Sequence, residues 1–317
     1  MAGFSNVSAV VVPLDGSELA ESALPYAVEL ARLFGARVVL LRVLEEMRPL
    51  YDARRHEVVW LDPANPHLHL LSPELLKPEV DRLTAAGIAV EPVVRLGDPR
   101  VEIIREAAEQ PDRLVVLASH GRGGLGRVVL GSTATRVLQL APVPVLVVRA
   151  RGRADQPDGI RFGRIVVPLD GSSLGEQALL PAVELTRRSA ATLELVRVAE
   201  TYRDELPDLP PSMLTSPSYR DIVAQFAALE REAGAYLDGI ADRLAADEVA
   251  ATTEVLSGDP ARQLLAYAER ESPDLVVMTS HGRGGLARWF FGSVTDKLLT
   301  ASRVPVLIVR THEPDQA

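Results

Sequence analysis

Two stretches of this 317-residue chain have the residue types and spacing to hold an anion. The first reads Ser119-His-Gly-Arg-Gly-Gly-Leu-Gly126, then Arg-Val-Val-Leu, then Gly131-Ser132-Thr133. The second reads Ser280-His-Gly-Arg-Gly-Gly-Leu-Ala287, then Arg-Trp-Phe-Phe, then Gly292-Ser293. Glycines such as Gly121 and Gly282 let backbone N–H groups approach an anion closely. Gly131-Ser132 and Gly292-Ser293 each open a helical pattern, whose free N–H groups and dipole favour a phosphate. The Ser132 hydroxyl can cap that helix or donate to a phosphate oxygen, and Arg122 or Arg127 can add a cation, as Arg283 can in the second stretch. A tight strand-to-helix connection with a serine cap and nothing bound accounts for the same residues, because a glycine-rich motif alone is weak evidence.

Two other motifs are poor fits. Gly121-x-Gly-x-x-Gly126 formally matches the dinucleotide fingerprint, which belongs on the first strand-to-helix turn with an acid about 20 residues later. Here it follows a fourth strand, and the next strand ends in Arg149. No G-x-x-x-x-G-K-[ST] occurs, which argues against a P-loop.

Asp15 and Asp170 directly follow valine-rich runs. A carboxylate at the carboxyl edge of a strand can accept hydrogen bonds from ribose hydroxyls. It can equally cap the following helix, or serve a turn before Ser17 takes the cap. His67-x-His69, with His56, has the makings of half a metal site, but solvated loop histidines read the same way. His120 and His281 beside the glycine turns read as loop residues packing on the turn, since a base needs a reacting group in reach.

The elements that position these residues are duplicated. Val10-Val-Val-Pro-Leu-Asp-Gly-Ser17 returns as Ile165-Val-Val-Pro-Leu-Asp-Gly-Ser172, an offset of 155. Leu114 to Arg149 aligns with Leu275 to Arg310 without a gap at an offset of 161, with 20 identities in 36 positions. Gly97-Asp-Pro99 returns as Gly258-Asp-Pro260. A period this long marks duplication of a whole domain, not a solenoid. The expected units are 1–150 and 161–317, joined by a polar linker over 151–160. In the first copy the patterns predict strands over Val7–Leu14, Arg37–Leu44, Ile88–Arg95, Leu114–Ala118 and Val143–Arg149. Helices are predicted over Glu18–Phe34, Ser72–Ala86, Pro99–Gln110 and Gly131–Leu140, with Glu45–Leu71 irregular. In the second copy Ala224–Leu244 reads as a helix packed on the sheet. This alternation predicts two tandem doubly wound α/β domains, each a five-stranded, mainly parallel sheet flanked by helices. Ligands in such sheets sit beyond the carboxyl ends of the strands at the switch point, which places Asp15 and the loop after Ala118 on one rim.

Composition narrows the class. A net charge of −9 disfavours non-specific binding to nucleic acid or anionic membranes. With no cysteine there are no disulfides or thiolate metal sites, which fits a reducing compartment. Neither a signal peptide nor a membrane-spanning run is expected.

Together these residues resemble the universal stress protein family. Its members carry a strand ending in Val-Pro-x-Asp-Gly-Ser and later a glycine turn leading to Gly-[Ser/Thr], then a strand of the form Val-Pro-Val-Leu-Val-Val. Both copies have the first motif, and both have the second, from Gly121 through nine residues to Gly131-Ser132 and from Gly282 to Gly292-Ser293. The closing strands are Val143–Val148 and Val304–Val309. The resemblance implies an adenine-nucleotide α-hydrolase-like fold and ATP as ligand, with Mg²⁺ entering through the ATP phosphates. It implies that Pro13, Asp15 and the backbone of Val43 face adenosine, and that Gly121, Gly131 and Ser132 face phosphates. Pro168, Asp170, Val198, Gly282, Gly292 and Ser293 form the second set. The family's first glycine is Ala118 here, and Thr279 in the second copy, so the first copy is expected to bind ATP at least as well as the second. The resemblance also implies pairing through the last strand, within the chain or in a homodimer. The leading expectation is a cytoplasmic ATP-binding stress sensor or regulator. The alternatives are a slow ATPase or other nucleotide-acting enzyme, and an interaction module with vestigial sites.

Overall fold

Continuous runs of valine, isoleucine and leucine become strands buried on both faces, and the helices that bury them supply the two outer layers. The computed structural model describes residues 4–44, 50–52, 57–59, 73–119, 130–150, 159–201, 217–280 and 291–310. In the first copy the order is β1 (Ala9–Leu14), α1 (Glu18–Glu21), α2 (Leu24–Phe34), β2 (Arg37–Leu44), β3 (Leu50–Asp52) and β4 (Glu57–Val59). Then come α3 (Lys77–Ala85), β5 (Val90–Leu96), α4 (Pro99–Ala108), β6 (Arg113–Ser119), α5 (Ser132–Leu140) and β7 (Val145–Arg149). The second copy has β8 (Arg164–Pro168), α6 (Leu179–Ser189), β9 (Thr192–Ala199), α7 (Pro217–Ala246) and β10 (Ala251–Ser257). It ends with α8 (Pro260–Glu271), β11 (Leu275–Thr279), α9 (Ser293–Ala301) and β12 (Val306–Val309).

Ten strands form one sheet in the order β10-β9-β8-β11-β12-β7-β6-β1-β2-β5. All neighbours are parallel except β7 and β12, which pair antiparallel with Leu146 opposite Leu307. Each copy is therefore a doubly wound, five-stranded parallel sheet, and the winding reverses between β1 and β6 and between β8 and β11. Strand alternation divides the core. Val10, Val12 and Leu14 face one layer with Ile165 and Val167, whereas Ala9 and Val11 face the other with Val166. Each apolar layer runs across both copies.

Three local readings need correction. The helix expected over Glu18–Phe34 is broken at Ser22 and Ala23. Pro25 lies in the first turn of α2, where its ring and missing N–H start a helix but do not continue one. The stretch expected to be irregular, Glu45–Leu71, contains the antiparallel pair of β3 and β4, with Tyr51 opposite Val58. Ser132 is the first helical residue, and the cap position belongs to Gly131.

Candidate functional site

Each copy ends its first strand in a turn built from three residues. Asp15 Oδ1 accepts from Ser17 N at 2.9 Å and from Ser17 Oγ at 2.6 Å. Ser17 Oγ in turn accepts from Ala20 N at 3.2 Å and caps α1. Gly16 between them has φ +82°, the left-handed region. An added Cβ there would lie 2.6 Å from Arg42 Nη1, a contact the flexible arginine can relieve, so it is the backbone conformation that calls for glycine. The second copy repeats the turn: Asp170 Oδ1 accepts from Ser172 N at 2.9 Å and Oγ at 2.6 Å, and Gly171 has φ +84°. The aspartate thus makes the turn expected of it, and the turn holds its carboxylate at the carboxyl edge of the sheet.

Across the switch point lie the starts of α5 and α9. Gly131 and Gly292 occupy the cap positions with φ near −60° and no side-chain cap bond. That conformation suits any residue. A Cβ added at either glycine meets nothing within 4 Å. Neither backbone strain nor crowding among the described residues therefore explains a glycine there. Ser132 and Ser293 follow, where the first-turn N–H groups lack helical partners.

In the second copy these residues meet. A cavity of about 660 Å³ is lined by Pro168, Asp170, Val198, Gly292 and Ser293, the five described members of the second set, together with Thr279. Pro13 in β1, Val43 in β2 and Ala118 in β6 hold the matching strand positions in the first copy, with Asp15, Gly131 and Ser132 on the same rim. Gly121, Arg122, Gly282 and Arg283 lie outside the described residues, as do His56, His67, His69, His120 and His281.

The cavity also contains residues the sequence reading did not assign. Asp259 caps α8 by accepting from Arg262 N at 2.8 Å, and it lines the wall with Pro260. The repeated Gly-Asp-Pro was the available signal. Leu229, Glu232 and Ala233 come from α7, which forms an outer wall. Arg197 is the cation of the lining. Its guanidinium stacks on Tyr236 at 4.6 Å and lies 3.9 Å from Glu232 Oε1. Burial, reinforced by the hydrogen bond from Tyr236 to Glu176, pushes the Tyr236 phenol well above its ordinary range. That phenol stays protonated and keeps donating to Glu176 at 3.0 Å. The chemistry available is recognition: two helix starts for an anion, a carboxylate for hydroxyls, and apolar strand ends for a flat ring. Among the described residues, no group of three or more His, Asp or Glu is gathered to hold a metal ion. Nor is any helix among them long and apolar enough to cross a membrane.

Fold and rim define a tandem, doubly wound α/β protein with a crevice at the switch point of its second copy. Residues 7–149 and 161–310 each match the model of the universal stress protein family, and the chain belongs to that family. It is 35% identical over 215 residues to a universal stress protein of Mycobacterium tuberculosis, covering 66% of this chain and 64% of that relative. A universal stress protein of Mycolicibacterium smegmatis is 27% identical over 307 residues, covering 95% of this chain and 96% of the relative. The crystal structure of a universal stress protein from Archaeoglobus fulgidus superposes with a TM-score of 0.69 at 21% identity, covering 98% of this chain and 99% of that one. That likeness shows the fold.

Proposed function

We propose that this chain binds ATP on the rim of each copy and serves as a stress-response sensor or regulator. The two binding units are 1–150 and 161–317, with 151–160 as the linker. The observation that carries the reading is the cavity of about 660 Å³, in which Asp170, Gly292 and Ser293 converge with the ends of three parallel strands. Its volume falls in the range of small-molecule sites, roughly 300–1,000 Å³. Pro168, Asp170 and Val198 would hold adenosine, and Thr279, Gly282, Arg283, Gly292 and Ser293 the phosphates. Pro13, Asp15, Val43, Ala118, Gly121, Arg122, Gly131 and Ser132 would do the same in the first copy. Mg²⁺ would enter bound to the phosphates, since no protein cage is needed for it.

Titration calorimetry of the full chain with Mg-ATP tests this. The expected result is two binding events, of which Asp15→Ala removes one and Asp170→Ala the other. Asp15→Asn and Asp170→Asn keep a turn acceptor and guard against loss of the turn. Unchanged affinity in the double alanine variant would contradict the assignment. Turnover of ATP by the parent chain and by that variant separates a sensor from a slow ATPase.

A further inference from the structure

The last strand of each copy ends beside the other copy's last helix. Arg149 closes β7, and Arg310 directly follows β12. Because these strands run antiparallel, the two arginines emerge at opposite ends of the pair. Arg310 Nε donates to Ala141 O at 2.8 Å, and its Nη2 donates to Gln139 O. Arg149 Nη1 donates to Ser302 O at 3.4 Å. Ala141 and Ser302 are equivalent positions, the C-caps of α5 and α9. The exchange is therefore reciprocal: each copy's arginine crosses the junction to the carbonyl end of the other copy's helix. Both arginines are half-buried. Burial alone pulls the pKa of Arg310 below the usual arginine value, so its charge is held against carbonyl dipoles at some cost in hydration.

The same two helices begin at Gly131-Ser132 and Gly292-Ser293. A cation at a helix C-terminus and an anion at its N-terminus both lie favourably along one macrodipole. A nine-residue helix is a rigid rod of about 14 Å, so fixing its far end also fixes the N–H groups at its start. We infer that Arg310 is a positioning residue for the anion site of the first copy and Arg149 for that of the second, each acting across the copy junction. This rests on the ATP reading above. It gives the tandem arrangement a purpose beyond burying an edge: each site is completed from the other half. Coupling of this kind is reciprocal, so occupancy of the first site also tightens the hold of α5 on Arg310.

The test uses full-length chains with one working site each, Asp170→Ala for the first and Asp15→Ala for the second, titrated with Mg-ATP. Arg310→Gln is expected to weaken the first-site chain about threefold to tenfold and leave the second-site chain within about twofold. Arg149→Gln is expected to weaken the second-site chain, by less, because its bond to Ser302 O is longer, at 3.4 Å. Arg310→Lys keeps the charge and should recover part of the loss; if Arg310→Gln does not fold, the lysine variant carries the same comparison. Loss confined to the variant's own copy, equal loss in both chains, or no loss would overturn the coupling. A parent chain that binds two ATP yet behaves so loses only the coupling. A parent chain that binds no ATP overturns the function and the coupling together.

Discussion

Asp15 and Asp170 are each held by their own turn, and among the described residues nothing calls for glycine at Gly131 or Gly292. The second fact is the more informative. At Gly16 the left-handed φ by itself calls for glycine, so its presence says nothing about a ligand. At Gly292 a methyl group would project into open space on the cavity wall. Gly292→Ala is therefore expected to cost no more than about 1 kcal/mol of stability, the scale of a cap substitution. It should still weaken Mg-ATP binding at the second site severalfold. Urea unfolding and calorimetry on one preparation check both; unchanged affinity would argue that nothing approaches this turn. These residues were legible in the sequence because they recur at one spacing beside strand patterns. Arg197 and Glu232 were not, because the second reaches the wall from α7, 35 positions further along the chain.

Helix-to-sheet packing differs between the copies in a way no strand pattern reveals. In the first copy, buried Glu106 of α4 pairs with buried Arg113 of β6 and with Arg95 of β5, while Glu109 takes Arg113 at 2.9 Å. The corresponding second-copy positions of Glu106 and Arg113 are Tyr267 and Asp274. There the charge has moved to Arg164 of β8 and Glu194 of β9, 2.7 Å apart, where the first copy has Ala9 and Val39. Arg164 also donates to Tyr267 Oη at 3.2 Å, and Asp274 accepts from Gly163 N and Arg164 N. Each helix thus matches only its own sheet, which disfavours exchange of helices between two similar halves. Glu106→Ala removes one of the two carboxylates that hold buried Arg113 and leaves it Glu109 and the backbone carbonyl of residue 106, and is expected to cost about 1–3 kcal/mol in urea unfolding. A loss below about 1 kcal/mol would mean that the pair is solvated. The five strands that the first copy gives to the large sheet were legible to within a residue or two, because such strands are mostly unbroken apolar runs, whereas the short pair β3 and β4 was not. The break before α2 was less so, because its apolar spacing continues through Ser22 and Ala23 and only Pro25 marks the restart.

At the scale of the molecule, the ten-stranded sheet makes two copies share two apolar layers, and polar ties cross the junction on both faces. On the face opposite the last helices, Arg188 of α6 donates to Leu33 O at 3.1 Å and stacks on Phe34 at 4.6 Å. The pseudo-symmetry is imperfect at the rims. Thr279, whose carbonyl accepts from Thr295 Oγ1 at 3.4 Å, stands where the first copy has Ala118, and Thr295 where it has Ala134. Duplication and fold were legible from the sequence, since the repeat and the α/β alternation are long-range patterns. Reciprocal arginine caps were not, because only the antiparallel pairing of β7 with β12 brings residues 169 positions apart into contact. The central claim is that the rims hold an adenine nucleotide. Mass spectrometry of the small molecules released from the purified, denatured chain tests it most directly. The account predicts ATP or its hydrolysis product in the parent, and its loss from the Asp15→Ala, Asp170→Ala double variant. A parent chain that releases no nucleotide and takes up no ATP at millimolar concentration would contradict it.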